Sequence, residues 1–156
     1  MDVESVIRKQ VASGQMMQVA TVDRDQPWIC TVYYVPDDKL NLYWISTTDR
    51  RHSRELANHH KVAGAIPIRF SYGQPVAGVQ LEGDARLISD PTEIKEAIRL
   101  YADRFKRSEE WCADFLAGKN PHKLYRIKPI LFVLFDEEAF PEDTRREWRP
   151  APYPTQ

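Results

Sequence analysis

Six stretches of the chain carry the apolar pattern of β-strands. In Leu40–Ser46, the side chains of Leu40, Leu42, Trp44 and Ser46 fall on one face and those of Asn41, Tyr43 and Ile45 on the other. Met16–Val22 has strand composition, and Asp23-Arg24-Asp25-Gln26-Pro27 is a turn into Trp28–Val35. That segment is aromatic or β-branched nearly throughout and apolar on both faces. It therefore reads as a strand buried on two sides, by the core on one and by a ligand or subunit on the other. Val62–Ile68 keeps Val62, Ile66 and Ile68 in phase. Val76–Ile88 is a long strand in which Gly83 marks a bulge, and Leu124–Phe135 is a strand interrupted by Pro129.

Helical spacing occurs in four places. Asp2 caps a segment with Val3, Val6, Ile7 and Val11 in step, stopped by Gly14. A short helix follows Asp49. Asp90-Pro91-Thr92-Glu93 is the strongest helix start in the chain, combining an N-cap, a first-turn proline and a capping-box acid. It leads a stripe of Ile94, Ala97, Ile98, Tyr101, Ala102 and Phe105. Ser108 caps a fourth helix, which places Cys112 in the core with Trp111 and Phe115.

The early strands are joined by turns too short for parallel crossovers, and Pro36-Asp37-Asp38 folds Leu40–Ser46 back as the third strand of a meander. The expected fold is mainly β with peripheral helices, a six-stranded antiparallel barrel, closed or partly closed. Residues 1–140 form one domain, and residues 141–156 form a charged, proline-rich tail that is weakly ordered unless Trp148 docks.

Apolar residues make up 42% of the 156 residues and charged residues 29%, which is globular composition. The formal net charge is −1, so no global field draws nucleic acid or an anionic membrane. No apolar run approaches the ~18 residues of a spanning helix. With two cysteines in unlike contexts, Cys30 and Cys112, a reducing cytoplasm is the expected setting.

The polar loop after Ser46 changes the picture. Ser46, Thr47, Thr48 and Asp49 run into Arg50, Arg51, His52, Ser53 and Arg54 at a helix start. Hydroxyls, guanidinium groups and free backbone N–H groups converge there, which is the chemistry of a phosphate site. A solvated basic turn has the same composition. His52, Glu55 and His59 share a helix face, but no further metal ligand stands out, and no metal is assigned. Neither G-x-G-x-x-G nor G-x-x-x-x-G-K-[ST] occurs, and no nucleophile or acid–base pair is evident. Such a protein positions a cofactor that carries the reactivity.

The succession Gln26-Pro27-Trp28, then Tyr43-Trp44-Ile45-Ser46, Arg51-His52-Ser53-Arg54-Glu55-Leu56-Ala57-Asn58 and Val79-Gln80-Leu81-Glu82-Gly83-Asp84-Ala85-Arg86 resembles the pyridoxamine 5'-phosphate oxidase-like, FMN-binding split-barrel family. The resemblance covers Val6 to Ile88 and the late strand. It implies a homodimer of six-stranded split barrels with FMN at the subunit interface and a small-molecule substrate, in an oxidoreductase. A non-catalytic binding or sensing role, or deazaflavin or haem in place of FMN, is the alternative within the same superfamily. Carried over by position, Thr31 and Val32 pass the flavin and Ile45 and Ser46 end the strand beside it. Arg51 and His52 hold the phosphate, with Thr47 as a hydroxyl donor, and Gln80 approaches the ring. His52 stands where the family often has lysine, and it carries charge only part of the time near neutral pH. Catalytic residues are not assigned.

Overall fold

The computed structural model describes residues 2–151. Four helices and eight strands follow in the order α1 (Val3–Ser13), β1 (Met16–Asp23), β2 (Gln26–Tyr33), β3 (Val35–Pro36), β4 (Leu42–Ser46), α2 (Arg51–Asn58), β5 (Lys61–Arg69), β6 (Ala77–Leu87), α3 (Pro91–Phe105), α4 (Glu109–Leu116), β7 (Lys123–Asp136) and β8 (Arg145–Trp148). The architecture is mainly β: one curled antiparallel sheet in the order β2-β1-β5-β6-β7-β4-β3, consistent with a split barrel. Six main strands build it, and β3 and β8 are short additions. The long β7 divides its outer edge, pairing its first half with β4 and its second half with β8.

The alternation in β4 is what fastens the two layers together. Leu42 and Trp44 enter the cluster inside the curl with Met17, Val19, Ile66, Val79 and Phe132. Tyr43 and Ile45 point the other way, into a second cluster under α3 and α4 with Ile98, Tyr101 and Phe115. Each large apolar side chain buried this way contributes roughly 1.5–3 kcal/mol. Asp90 caps α3 by accepting from the Glu93 N–H, and Ser108 caps α4 by accepting from the Trp111 N–H, as their sequences imply.

Gly83 and Pro129 meet at one bulge. The register between β6 and β7 shifts there, so that Glu82 faces Leu131 and Gly83 faces Pro129, leaving Ile130 unpaired. A side chain at position 83 would place its Cβ 2.6 Å from Ile127 Cγ2 and 2.8 Å from the Lys128 carbonyl oxygen. Only glycine admits that approach.

Within one chain, β2 is an edge strand paired with β1, and its outward face is open, with Ile29 59% and Tyr33 52% exposed. One expectation needs correction. The first three predicted strands do not form a meander, because β2 and β4 share no ladder; the sheet is split between them. The hydrogen-bonding partner on β1's other side is β5, which returns after α2. Arg145–Trp148 is docked, the condition under which the tail is expected to be ordered. Trp148 stacks on Phe132 with ring centroids 5.8 Å apart, and β8 pairs with β7 from Phe132 to Phe135. Pro152 and Pro154 lie outside the described residues. No helix among the described residues is long and apolar enough to cross a membrane.

Candidate functional site

Helix α2 begins without a side-chain cap. Its N-cap is Arg50, whose side chain cannot accept a hydrogen bond, and its first turn holds no acidic residue. The leading N–H groups of α2 thus lack both intrahelical and side-chain acceptors. The Ser53 hydroxyl, in the same first turn, is buried and has no partner. Arg50, Arg51 and Arg54 surround this end. Uncapped dipole, orphaned hydroxyl and guanidinium groups are together chemistry that favours an anion.

Arg51 is braced from two directions. Its Nε donates to Glu55 Oε1 at 2.7 Å, one helical turn on, and its guanidinium carbon lies 4.3 Å from the centroid of the Trp28 ring on β2. Its Nη groups make no hydrogen bond to any described residue. Glu55 is buried and also accepts from the Thr21 hydroxyl on β1. Burial pushes the Glu55 carboxyl up, but the hydrogen bonds from Thr21 and Arg51 and the charges of Arg51 and Arg54 outweigh it and hold the group below its ordinary value.

His52 is buried and its Nε2 lies 2.9 Å from Ser46 Oγ at the end of β4. Burial, reinforced by the Arg50 charge and opposed by Glu55, lowers its pKa below the usual histidine value. At neutral pH it is therefore a neutral hydrogen-bonding brace between β4 and α2, and the cationic charge comes from the arginines. Thr47 donates its hydroxyl to the Asp49 carboxylate, which ties the side chain back into the loop. Arg54 Nη1 donates to the Asp49 carbonyl, tightening the same turn.

The remaining predicted residues fall in two places. Thr31, Val32 and Ile45 line one open cavity of about 610 Å³ together with Tyr101, Trp111 and His122. Gln80 lies elsewhere, in an apolar groove of about 470 Å³ on the outer face of the sheet with Gln18, Ala20, Ile29 and Ala65. The pairing registers put Thr31, Gln18, Ala65 and Gln80 in one row across β2, β1, β5 and β6. Three strand spacings separate Thr31 from Gln80, about 14 Å. Within one chain, the structure thus joins Ser46 to His52 and seats Arg51 beside them, but does not bring Gln80 to Thr31.

Sequence reasoning quoted Trp28 without a role and did not name Thr21. Glu55, read only as sharing a helix face with His52 and His59, is the i+4 partner of Arg51. Trp28 and Thr21 are brought in by tertiary packing.

The pyridoxamine 5'-phosphate oxidase family profile matches residues 3–132. The chain belongs to that family. Among its relatives is a UPF0306 protein of Cronobacter sakazakii, 26% identical over 145 residues, which span 92% of this chain and 90% of that one. Another is a UPF0306 protein of Pasteurella multocida, 30% identical over 92 residues; that match spans 58% of this chain and 60% of the relative. Two solved structures share the family fold. A haem-binding protein from Mycobacterium smegmatis superposes with a TM-score of 0.71 at 17% identity, covering 92% of this chain and 56% of that one. An FAD-binding protein from Mesorhizobium loti does so with a TM-score of 0.63 at 18% identity, covering 81% and 88%. The family fold thus hosts flavin in one of these neighbours and haem in the other.

Proposed function

We propose that this family member is an FMN-binding flavoprotein, an oxidoreductase that holds the cofactor between two copies of the chain and acts on a small molecule. The observation that carries this reading is the uncapped start of α2, where an unpartnered buried Ser53 hydroxyl and three arginines await an anion. The residues fit a phosphate. Arg51 offers Nη groups already aimed by Glu55 and Trp28, Ser53 offers its hydroxyl, and the first-turn N–H groups offer the rest. Charge-assisted bonds of this kind contribute roughly 1.5–3 kcal/mol each. His52 adds a neutral hydrogen bond at most. Thr31, Val32 and Ile45 then border the ring. Bound FMN would supply the hydride or electron chemistry that the polypeptide lacks.

The second copy is supported by the outer face of the sheet. Ile29, Ala20, Ala63 and Ala65 leave it shallow and apolar next to the open edge of β2. A partner seated there would cover β2 and bring its own Gln80 toward the Thr31 row. The two thiols, Cys30 and Cys112, are free and suit a reducing cytoplasm.

Titration of the purified protein with FMN, followed by absorbance and gel filtration, tests the reading. It requires saturable uptake by a dimer. A haem or deazaflavin protein would instead give the spectrum of that group and leave FMN free.

A further inference from the structure

Trp28 keeps more open surface than the bracing of Arg51 requires. The residue is 42% exposed, although the Arg51 guanidinium already stands over one side of its ring, 4.3 Å from the centroid. Neither apolar cluster includes Trp28, and no other ring or cation stands over it among the described residues. An aromatic side chain of this size offers up to ~250 Å² for burial, so the open share is roughly 100 Å², enough for one ring face. With Arg51 on one side, that share belongs to the other. Nor is it reserved for a second copy of the chain. Side chains alternate along β2, so that Ile29 borders the outer groove while Trp28 points to the opposite side, toward α2.

Two further observations bear on what this face receives. Arg50 is exposed and makes no side-chain hydrogen bond at the start of α2. It enters no ion pair among the described residues, whereas Arg51 shares its charge with Glu55. A second, unneutralised guanidinium therefore stands next to the first. The other observation is order along β2. Thr31 and Val32, assigned to the flavin ring, lie roughly 10–13 Å along the strand from Trp28. Arg51 stands at the Trp28 end. A flavin with its ring at Thr31 and its phosphate on Arg51 thus arrives at Trp28 phosphate first.

We infer that the anion site continues onto Trp28 and that the ligand it accommodates in full is a flavin dinucleotide. The pyrophosphate lies across Ser53, Arg51 and Arg50, and the adenine stacks on the side of Trp28 turned away from Arg51. The indole is then held between a guanidinium and a base, both of which stack on aromatic faces. The inference rests on the proposed flavin site. It keeps the ring end of that site and adds the half that FMN lacks, so that FMN binds by the shared half alone.

The test titrates FMN and FAD into the purified chain, read by flavin fluorescence, with ADP as a second probe read by tryptophan quenching. FAD is expected to bind at least fivefold more tightly than FMN, the lower end of what stacking a base on one aromatic side chain contributes. Trp28→Leu keeps apolar bulk beneath Arg51 but has no flat face, and should bring the two affinities together. Trp28→Phe, which retains a ring, should keep most of the difference, and Arg50→Gln should narrow it. Both flavins share the contact to Arg51, so any loosening of Arg51 weakens both and leaves their ratio as the readout. Equal binding of the two flavins by the wild type, or a ratio that Trp28→Leu leaves unchanged, would overturn the inference and leave the FMN site standing. ADP binding that Trp28→Leu weakens, in a protein that takes up neither flavin, would support the nucleotide face and sink the flavin reading. A protein that binds neither flavin nor ADP would end both.

Discussion

Arg51 is held before any ligand arrives, by Glu55 along the helix and by Trp28 across from it. Holding a long side chain in place lowers the rotamer entropy lost on binding, so its contacts to a phosphate count more fully. Arg51→Ala is expected to weaken FMN binding by about 1.5–3 kcal/mol, roughly 10- to 100-fold, measured by fluorescence titration. The brace also has a pH signature. Glu55 has a folded-state pKa below its ordinary carboxylate value, so its contribution is present at neutral pH and is lost as pH falls through that folded value. His52 acts in the same direction at higher pH. Its folded pKa is lowered, so between the ordinary histidine value and that lower value the unfolded chain takes up a proton that the folded chain does not. Thermal melts of the wild type should therefore fall in two steps on acidification from pH 7. His52→Gln should remove the upper step and Glu55→Gln the lower one. Melts with a single unchanged profile in both variants would disprove the assignments.

At the scale of elements, the bulge and the edge strand show where sequence and structure agree and part. The Gly83 bulge, the caps Asp90 and Ser108 and the strand alternation were all legible, because each is set by local sterics or hydrogen bonding. Gly83→Ala should destabilise the fold by about 1–3 kcal/mol in denaturant melts, since its Cβ would meet backbone that cannot retreat. The edge position of β2 was not legible. Its composition is that of a core strand, but its position at the split leaves Ile29 and Tyr33 uncovered in one chain, and no local pattern distinguishes a core from an unmet interface. Which residue caps α2 was not legible either. Asp49 has cap chemistry, but its carboxylate is engaged by Thr47, and Arg50 takes the cap position. The docking of Trp148 on Phe132 depends on a partner sixteen residues away across a turn. Trp148→Ala should cost about 2 kcal/mol of stability.

For the whole molecule, function is proposed to require a second copy. One row of the sheet runs from Thr31 through Gln18 and Ala65 to Gln80, and its ends lie about 14 Å apart within one chain. Ile29→Glu, on the exposed edge strand of that face, should yield a folded monomer by ultracentrifugation and lose FMN affinity with it. A dimer that survives the substitution would place the interface elsewhere. The candidate site was legible in its phosphate end, since consecutive basic and hydroxyl residues announce it. That Tyr101 and Trp111 of distant segments line the same cavity as Thr31, Val32 and Ile45 was not. The most direct measurement is an FMN titration of the purified protein beside Arg51→Ala. Saturation at one FMN per chain, with affinity reduced at least tenfold in the variant, is the expected result. A colourless protein that takes up no added FMN, or a variant that binds it as tightly as wild type, would contradict the assignment of α2 as the phosphate anchor.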